Sequence, residues 1–403
     1  MVFHRRPPSF QQVLVSRDLG GAGLVALHFS EYLNRRNESS RVWIPGAGAA
    51  MNEAERLHLD IEQYDASSLF NSSRLGIGCA NWRIGRKLAR LGPGIVHVHG
   101  PSHYGALRLG LQLSGLKRVA HVQIEESDQL LRWAFKTPPE LIITCARFLE
   151  AHVRRNLPEP YRERQKIVAV PNSVDTDRFF PSDKREAKRK VGAPLDVPLV
   201  LMLANLAPHK GQETTIRAVA ALRDRNVHVV CWLAGIERNG ATEYTARLQD
   251  QIQSLGVGDR VHLLGFRCDA PDLLRAADFF LLPSTCEGLP LSILEAQATR
   301  VAVLAAPTAG IPEVIEDQRT GFLVPAGDAD GYARCIQQLL AEPGLYQSLV
   351  EAAHTQARRE YTWQVLCDRI WSEYQELLAD RTQARSKTAR SVAFCSRILG
   401  IGC

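Results

Sequence analysis

A chain of 403 residues, 45% apolar and 23% charged, has the balance of a soluble globular protein and enough length for two domains with full cores, or one large one. Its 49 Lys and Arg residues are largely offset by 43 Asp and Glu, and a formal charge of +6 argues against a dedicated nucleic-acid binder. No stretch approaches the ~18 consecutive apolar residues of a membrane span, and the start MVFHRRPPSFQQVLVS lacks the apolar core of a signal peptide. Nine cysteines form no C-x-x-C pair, so buried free thiols in a reducing, cytoplasmic compartment are expected, without zinc or disulfides.

Short β-rich runs alternate with helical patterns along the chain, the mark of parallel α/β architecture. The first half predicts strands at Gln12–Val15, Val42–Ile44, Ile95–His99, Val119–Gln123, Leu141–Thr144 and Ile167–Val170. The first ends in SRDLGGAG, where Gly20, Gly21 and Gly23 precede a helix starting near Leu24. Small residues there let backbone approach a ligand, and a helix start favours an anion; a tight strand-to-helix turn is the plainer alternative. The loop is not the G-x-G-x-x-G fingerprint, and the next strand ends in Pro45-Gly46 instead of a ribose-binding acid, which leaves a nicotinamide dehydrogenase as the least favoured class.

From Ala66 to Ile124 there is no acid but eight basic residues. Arg83, Arg86, Lys87 and Arg90 follow helical spacing and form one face, with Trp82, Ile84, Leu88 and Leu91 expected away from it. Such a helix either packs its apolar side on the sheet as an ordinary surface helix or rests on anionic lipid. His97, His99, His103 and His121 cluster in VHVHGPSH and AHVQIEE; two imidazoles two apart share a strand face, but no third ligand has persuasive spacing, so cleft or core histidines are expected, and no metal.

After Pro171 the polar, charged and proline-rich stretch to Pro198 reads as a domain linker. The cycle then restarts with strands at Leu199–Ala204, Val227–Ala234, Val261–Leu264, Phe279–Leu282, Val301–Ala305 and Gly321–Val324. Two consecutive doubly wound domains result, at 1–175 and 176–360, and ligands of such sheets bind outside the carboxyl ends of the strands. A helix within 361–380, carrying Trp363, Trp371 and Tyr374, is expected to pack across the domains, and 381–403 is a basic tail, expected to be flexible.

The second half carries the chemistry. Lys210 stands between a strand end and a helix beginning near Gln212, where a cation beside a positive helix terminus is unfavourable without an anion. In FFLLPSTCEGLPLSILEAQA, Pro283-Ser284 stops a buried strand, Glu287 falls in the loop, and Glu295 falls about one turn into the following helix. Free backbone N–H groups at that helix start suit a phosphate between the two acids, the layout of a nucleotide-sugar site; a surface salt bridge is the alternative.

Taken in order, the glycine loop Gly20-Gly21, HVHG, VPNSVDTDRF at 170–179, NLAPHKG at 205–211, HLLGF at 262–266, PSTCEGLPLSILEAQA at 283–298, AGIPEVI at 309–315 and TGFLVPAGD at 320–328 resemble the family 4 glycosyltransferases. The resemblance runs from about Val13 to about Leu378 and implies the GT-B fold, two Rossmann-like parallel-sheet domains facing a central cleft. It implies that Glu295 holds the donor ribose, Glu287 the donor sugar and Lys210 the diphosphate. Gly288 and the backbone at Leu291 and Ser292, with Gly20 and Gly21 from the other domain, would complete the phosphate cradle. Where the family often has arginine this chain has Asn205, which shifts weight to Lys210 or to Arg267. Gly23 replaces a glutamate, Ser173 a glycine, and the cleft histidine falls on His121 or Gln123, assigned here to His121.

The function so implied is retaining transfer of a sugar from a UDP- or GDP-linked donor to an acceptor hydroxyl in cell-surface polysaccharide or glycolipid synthesis. Lysine, arginine and helix dipole stabilise the leaving group, so no metal and no cofactor are expected. The partners are a nucleotide sugar and a sugar or lipid-linked acceptor, in the cytoplasm or at the inner face of the membrane. A sugar-nucleotide epimerase of the same fold and a non-catalytic nucleotide-sugar-binding homologue are the rivals.

Overall fold

The computed structural model of the protein describes residues 7–70, 73–237, 240 and 242–379. The tail expected at 381–403 lies outside the described residues. Among the described residues the chain divides into two compact units: those up to Thr144, Leu149–Val170 and those at 366–379 form one, and Cys145–Phe148 with Pro171–Val365 form the other.

The first unit is a seven-stranded sheet of β1 (Ser9–Val13), β2 (Ser39–Ile44), β3 (Asp60–Gln63), β4 (Gly94–Val98), β5 (Lys117–Val122), β6 (Leu141–Thr144) and β7 (Ile167–Ala169), in the order β3-β2-β1-β4-β5-β6-β7. Every pairing is parallel. Strands covered on both faces read as continuous apolar runs, which is why β4 and β6 are evident in the sequence. Two elements are not. The edge strand β3 is DIEQ, held through Arg41 Nε donating to Asp60 Oδ2 at 2.8 Å, with no apolar run to announce it. The first strand starts earlier than its hydropathy indicates because Gln11 and Gln12 are buried and paired: Gln11 Oε1 accepts from Trp43 Nε1 at 2.8 Å.

A helix spans 363–379, and from Leu366 its residues belong to the first unit. Tyr374 is fully buried, stacked on Phe10 (5.6 Å, 18°) and edge-on to Phe29 (5.2 Å, 90°). The C-terminal segment therefore completes the core of the unit that the N-terminus begins.

The second unit is a six-stranded parallel sheet of β8 (Leu199–Leu203), β9 (Val230–Ala234), β10 (Val261–Gly265), β11 (Phe279–Leu282), β12 (Ala302–Ala305) and β13 (Phe322–Leu323), ordered β10-β9-β8-β11-β12-β13. Both sheets are doubly wound. Winding reverses between β1 and β4 in one and between β8 and β11 in the other. Those reversals leave crevices at the carboxyl ends of the two central strands, the ligand positions of such folds.

Candidate functional site

In the second unit β8 and β11 pair directly, Val200 against Phe279 and Leu201 against Phe280, so the loops that follow them meet although about 80 residues separate them in sequence. After β8 a short 3-10 turn, Pro208–Lys210, leads through Gly211 into the helix Gln212–Asp224. Gly211 has φ +83°, and a Cβ on it would stand 2.4 Å from the Pro283 carbonyl oxygen, so both conformation and space demand glycine. Thr285 N donates to His209 O at 2.8 Å, and Ser284 Oγ to Lys210 O at 3.3 Å. A third loop, after β12, joins them: Thr308 Oγ1 donates to Ser284 O at 2.9 Å, and Gly310 N to Gly288 O at 3.0 Å.

This lacing sets Lys210 against Glu287. Lys210 Nζ donates to both carboxylate oxygens, at 2.8 and 2.9 Å, with Glu287 buried and Lys210 half-buried. The anion that a lysine at this helix start requires is thus present in the protein itself. The two residues read from the sequence as separate ligands of diphosphate and sugar form one ion pair.

Beside them the helix Leu291–Ala298 begins after Pro290 with no side-chain cap and no acid in its first turn. Ile293 N bonds Pro290 O at 3.3 Å, while among the described residues the N–H groups of Leu291 and Ser292 meet no hydrogen-bond acceptor. A helix start of this kind is electropositive and holds donors ready for an anion. Gly288, buried in the approach loop, has its oxygen 2.5 Å from where a Cβ of Gly310 would lie, a contact that fixes the loop in front of the helix. One turn into the helix, Glu295 has no hydrogen-bond partner for its carboxyl among the described residues; burial pushes its pKa up to about 7, opposed by the charge of Arg178. Arg178 lies in the VPNSVDTDRF segment, and sequence reasoning gave it no role. Only the fold sets it near Glu295.

Two expected donor residues are less simply placed. Asn205 is exposed at the carboxyl end of β8, its carbonyl accepting from Gln212 Nε2 at 2.9 Å. Arg267 follows the edge strand β10, two strand spacings (about 10 Å) from β8. Its fork is occupied by Asp269, at 2.7 Å to Oδ1 and 2.5 Å to Oδ2.

In the first unit the helix Gly21–Arg35 begins directly at the glycine loop, earlier than its hydropathy indicates, with Gly20 as an N-cap that offers no side chain and no acid in the first turn. A Cβ on Gly20 would meet nothing within 4 Å, so the loop's backbone stands open. His121 is placed differently from its expected role. It is fully buried within β5, its ring 5.4 Å from that of His97, and from there an imidazole has no face for a substrate. Gln123, the other alignment of the family's histidine, emerges half-buried just past the end of β5.

The sheet also brings together what sequence spacing left apart. His97, His99 and His121 each offer a ring nitrogen within 4.8 Å of the others. His97 Nδ1 pairs with Tyr374 Oη at 3.0 Å and His99 Nε2 with Gln12 Oε1 at 2.9 Å. His97 Nε2, His99 Nδ1 and both nitrogens of His121 meet no hydrogen-bond partner among the described residues. Burial lowers all three imidazoles far below their ordinary pKa, with His121 at about 3, so they are neutral. Neutral imidazoles are a zinc-type donor set. Among the described residues no acidic group is a cause of these shifts, so a dication there would be buried without a countercharge.

The family model described as Glycosyltransferase Family 4 matches residues 19–178, and the model described as Glycosyl transferases group 1 matches residues 183–356, one after the other along the chain. The chain belongs to the family 4 glycosyltransferases. D-inositol 3-phosphate glycosyltransferase of Mycobacteroides abscessus is 29% identical over 309 residues, covering 70% of this chain and 68% of that protein. The enzyme of the same name from Acidothermus cellulolyticus is 33% identical over 238 residues, or 57% and 52%. The chain thus spans about two thirds of one such relative and about half of the other. Among solved structures, a glycosyltransferase of Rickettsia africae (TM-score 0.80, 19% identity, 93% of this chain and 99% of that one) shares the fold. So does HepE of Anabaena in complex with UDP and glucose (TM-score 0.81, 21% identity, 92% and 100%). The doubly wound sheets of this family 4 member are those of GT-B glycosyltransferases.

Proposed function

We propose that the protein is a retaining glycosyltransferase that moves a sugar from a UDP- or GDP-linked donor to an acceptor hydroxyl, in the cytoplasm and in the synthesis of cell-surface polysaccharide or glycolipid. One observation carries the reading: an ion pair, Lys210–Glu287, lies at the β8/β11 reversal beside an uncapped helix start and a carboxyl, Glu295, without a hydrogen-bond partner among the described residues. Each part answers to one part of a nucleotide sugar. The helix start and Lys210 take the diphosphate, Glu295 accepts from the ribose hydroxyls, and Glu287 turns to the sugar hydroxyls.

The ion pair gives the exchange a physical order. A diphosphate arriving at the Leu291 and Ser292 N–H groups competes for Lys210, and a lysine drawn to phosphate releases a carboxylate from its strongest partner. Glu287 is then free to accept from the donor sugar, so sugar recognition follows phosphate binding. As the glycosidic bond breaks, Lys210 and the helix start hold the charge growing on the leaving phosphate, in place already and without reorganisation. The acceptor proton passes to that phosphate on the face the donor leaves, which keeps the anomeric configuration. No residue of the protein is needed as a covalent nucleophile. Asn205 and Arg267 serve the donor's outer parts, and no metal takes part.

The UDP and UDP-glucose bound by HepE of Anabaena make uridine donors the first to test, and the relatives' name makes a phosphorylated polyol an acceptor to try beside sugars and lipid-linked sugars. The decisive assay is release of nucleoside diphosphate with product formation from UDP- and GDP-sugars, with and without chelator, alongside elemental analysis of the protein. Transfer unaffected by chelator, with the anomer kept, is the expected result. Isomerised donor without acceptor product would indicate an epimerase, and binding without turnover a non-catalytic homologue. Loss of transfer in chelator would overturn the metal-free mechanism.

A further inference from the structure

The helices Arg74–Ala89 and Pro101–Ser114 of the first unit cross backbone to backbone at a pair of glycines. A Cβ on Gly85 would meet Gly110 O at 2.7 Å and Leu113 Cβ at 3.2 Å, and one on Gly110 would meet Asn81 O at 2.5 Å. Asn81 rivets the crossing, donating from Nδ2 to Ala106 O and accepting from Gly110 N, both at 2.9 Å. So close a crossing puts the outward stripes of the two helices side by side.

Those stripes are apolar. Leu75 is 83% exposed and Trp82, seven residues on, 52%; on the second helix Leu109 is 57% exposed and Leu113, four on, 62%. Four large apolar side chains exposed on one two-helix surface are more than single exposed residues of a soluble protein account for. The expectation that Trp82 lies away from the cations is corrected here: the Arg86 guanidinium sits 4.8 Å over its ring, on the solvent side. The inward face of this helix is Asn81, Gly85 and Leu88. Lys87 is held by Glu62, but Arg83, Arg86 and Arg90 have no acidic partner among the described residues.

We infer that this face docks on an anionic lipid bilayer, with Trp82 and the leucines in the headgroup boundary and Arg83, Arg86 and Arg90 on the lipid phosphates. Charge decides the occupant. A second copy meeting the first through the same face would oppose like charges, and nucleic acid offers nothing for three exposed leucines, whereas a bilayer answers both the apolar stripe and its cationic flank. No helix among the described residues is long and apolar enough to cross a membrane, so the contact lies in the plane of the interface. The inference deepens the proposed transfer to lipid-linked acceptors and rests on that reading for its purpose, though not for its test.

The test is co-sedimentation of the full chain with phosphatidylglycerol and with phosphatidylcholine vesicles at low and high salt, with donor hydrolysis measured on the same preparation. Binding to the anionic vesicles alone, weakened by salt, is expected. R83E/R86E/R90E should lower partitioning by on the order of 100-fold. L109Q/L113Q should lower it about tenfold or more with an unchanged circular dichroism spectrum, which keeps the apolar stripe separable from the charges. Absence of binding, equal binding to both lipids, or binding unmoved by either variant overturns the inference. So does a concentration-dependent dimer abolished by L109Q/L113Q, which would assign the face to a second copy. Vesicle binding without donor turnover would sink the transferase reading and leave the docking face standing.

Discussion

Glu295 has a carboxyl that burial holds protonated to about pH 7, against an ordinary value near 4.5. The folded protein therefore keeps a proton between those values that the unfolded chain has lost, and stability from this group is greatest below about pH 4.5 and falls as pH rises to 7. The loss is at most about 3 kcal/mol. Glu295→Gln should flatten that slope in denaturant titrations from pH 4.5 to 8; an unchanged slope would assign the pH dependence elsewhere. Ribose hydroxyls favour the carboxylate, so nucleotide binding should release a proton near pH 7 and tighten with rising pH. Calorimetry in buffers of different ionisation heat reads that release, and its persistence in Glu295→Gln would remove Glu295 from the ribose. Lys210 carries a different signature because its partner is buried. Lys210→Ala should cost about 3 kcal/mol by stranding Glu287, and adding Glu287→Gln should recover much of it, while transfer stays lost in both. Normal transfer by Lys210→Ala or by Glu295→Ala would sink the site. The sequence singled out these three side chains through their loop and helix positions. It could not show that two of them bind each other, nor that the charge of Arg178 favours the carboxylate of the third against its burial.

At the scale of elements, the helix Leu291–Ala298 works by what it lacks. A cap or a first-turn acid would neutralise its start, and Pro290 and Leu291-Ser292 supply neither. Ser292→Asp should stabilise the helix by about 0.5 kcal/mol and abolish the thermal shift induced by UDP or GDP, since a resident carboxylate occupies the anion's place. A nucleotide shift of wild-type size in that variant would move the phosphate site to another element. The strands were legible where both faces are covered, as in FFLL of β11, because full burial writes an unbroken apolar run. β3 was not legible, because an edge strand of sequence DIEQ is fixed by pairing with β2 and carries no apolar pattern. The basic helix was read correctly as amphipathic and wrongly oriented at Trp82, since Asn81 and Gly85 stand on its inward face beside Leu88, and a polar residue and a glycine leave no mark in hydropathy.

At the scale of the whole molecule, the first unit is closed by chain from its far end. Tyr374 is buried against Phe10 and Phe29, accepts from Gln12 and meets His97. Tyr374→Ala should destabilise that unit by about 3–5 kcal/mol, visible as a lowered or newly separated calorimetric transition; an unmoved transition would show that the segment from Leu366 is dispensable to the core. The sequence by itself determined the fold class, the two cycles of strand and helix and the order of the motifs, because backbone periodicity and turn chemistry are local and are written residue by residue. Only the tertiary structure decided which side chains meet. Sheet order sets Lys210 on Glu287 across about 80 residues and gathers His97, His99 and His121 while burying His121 within its strand, and helix crossing leaves Trp82 exposed under Arg86. Such contacts depend on strand order and helix crossing, which are properties of the folded chain as a whole.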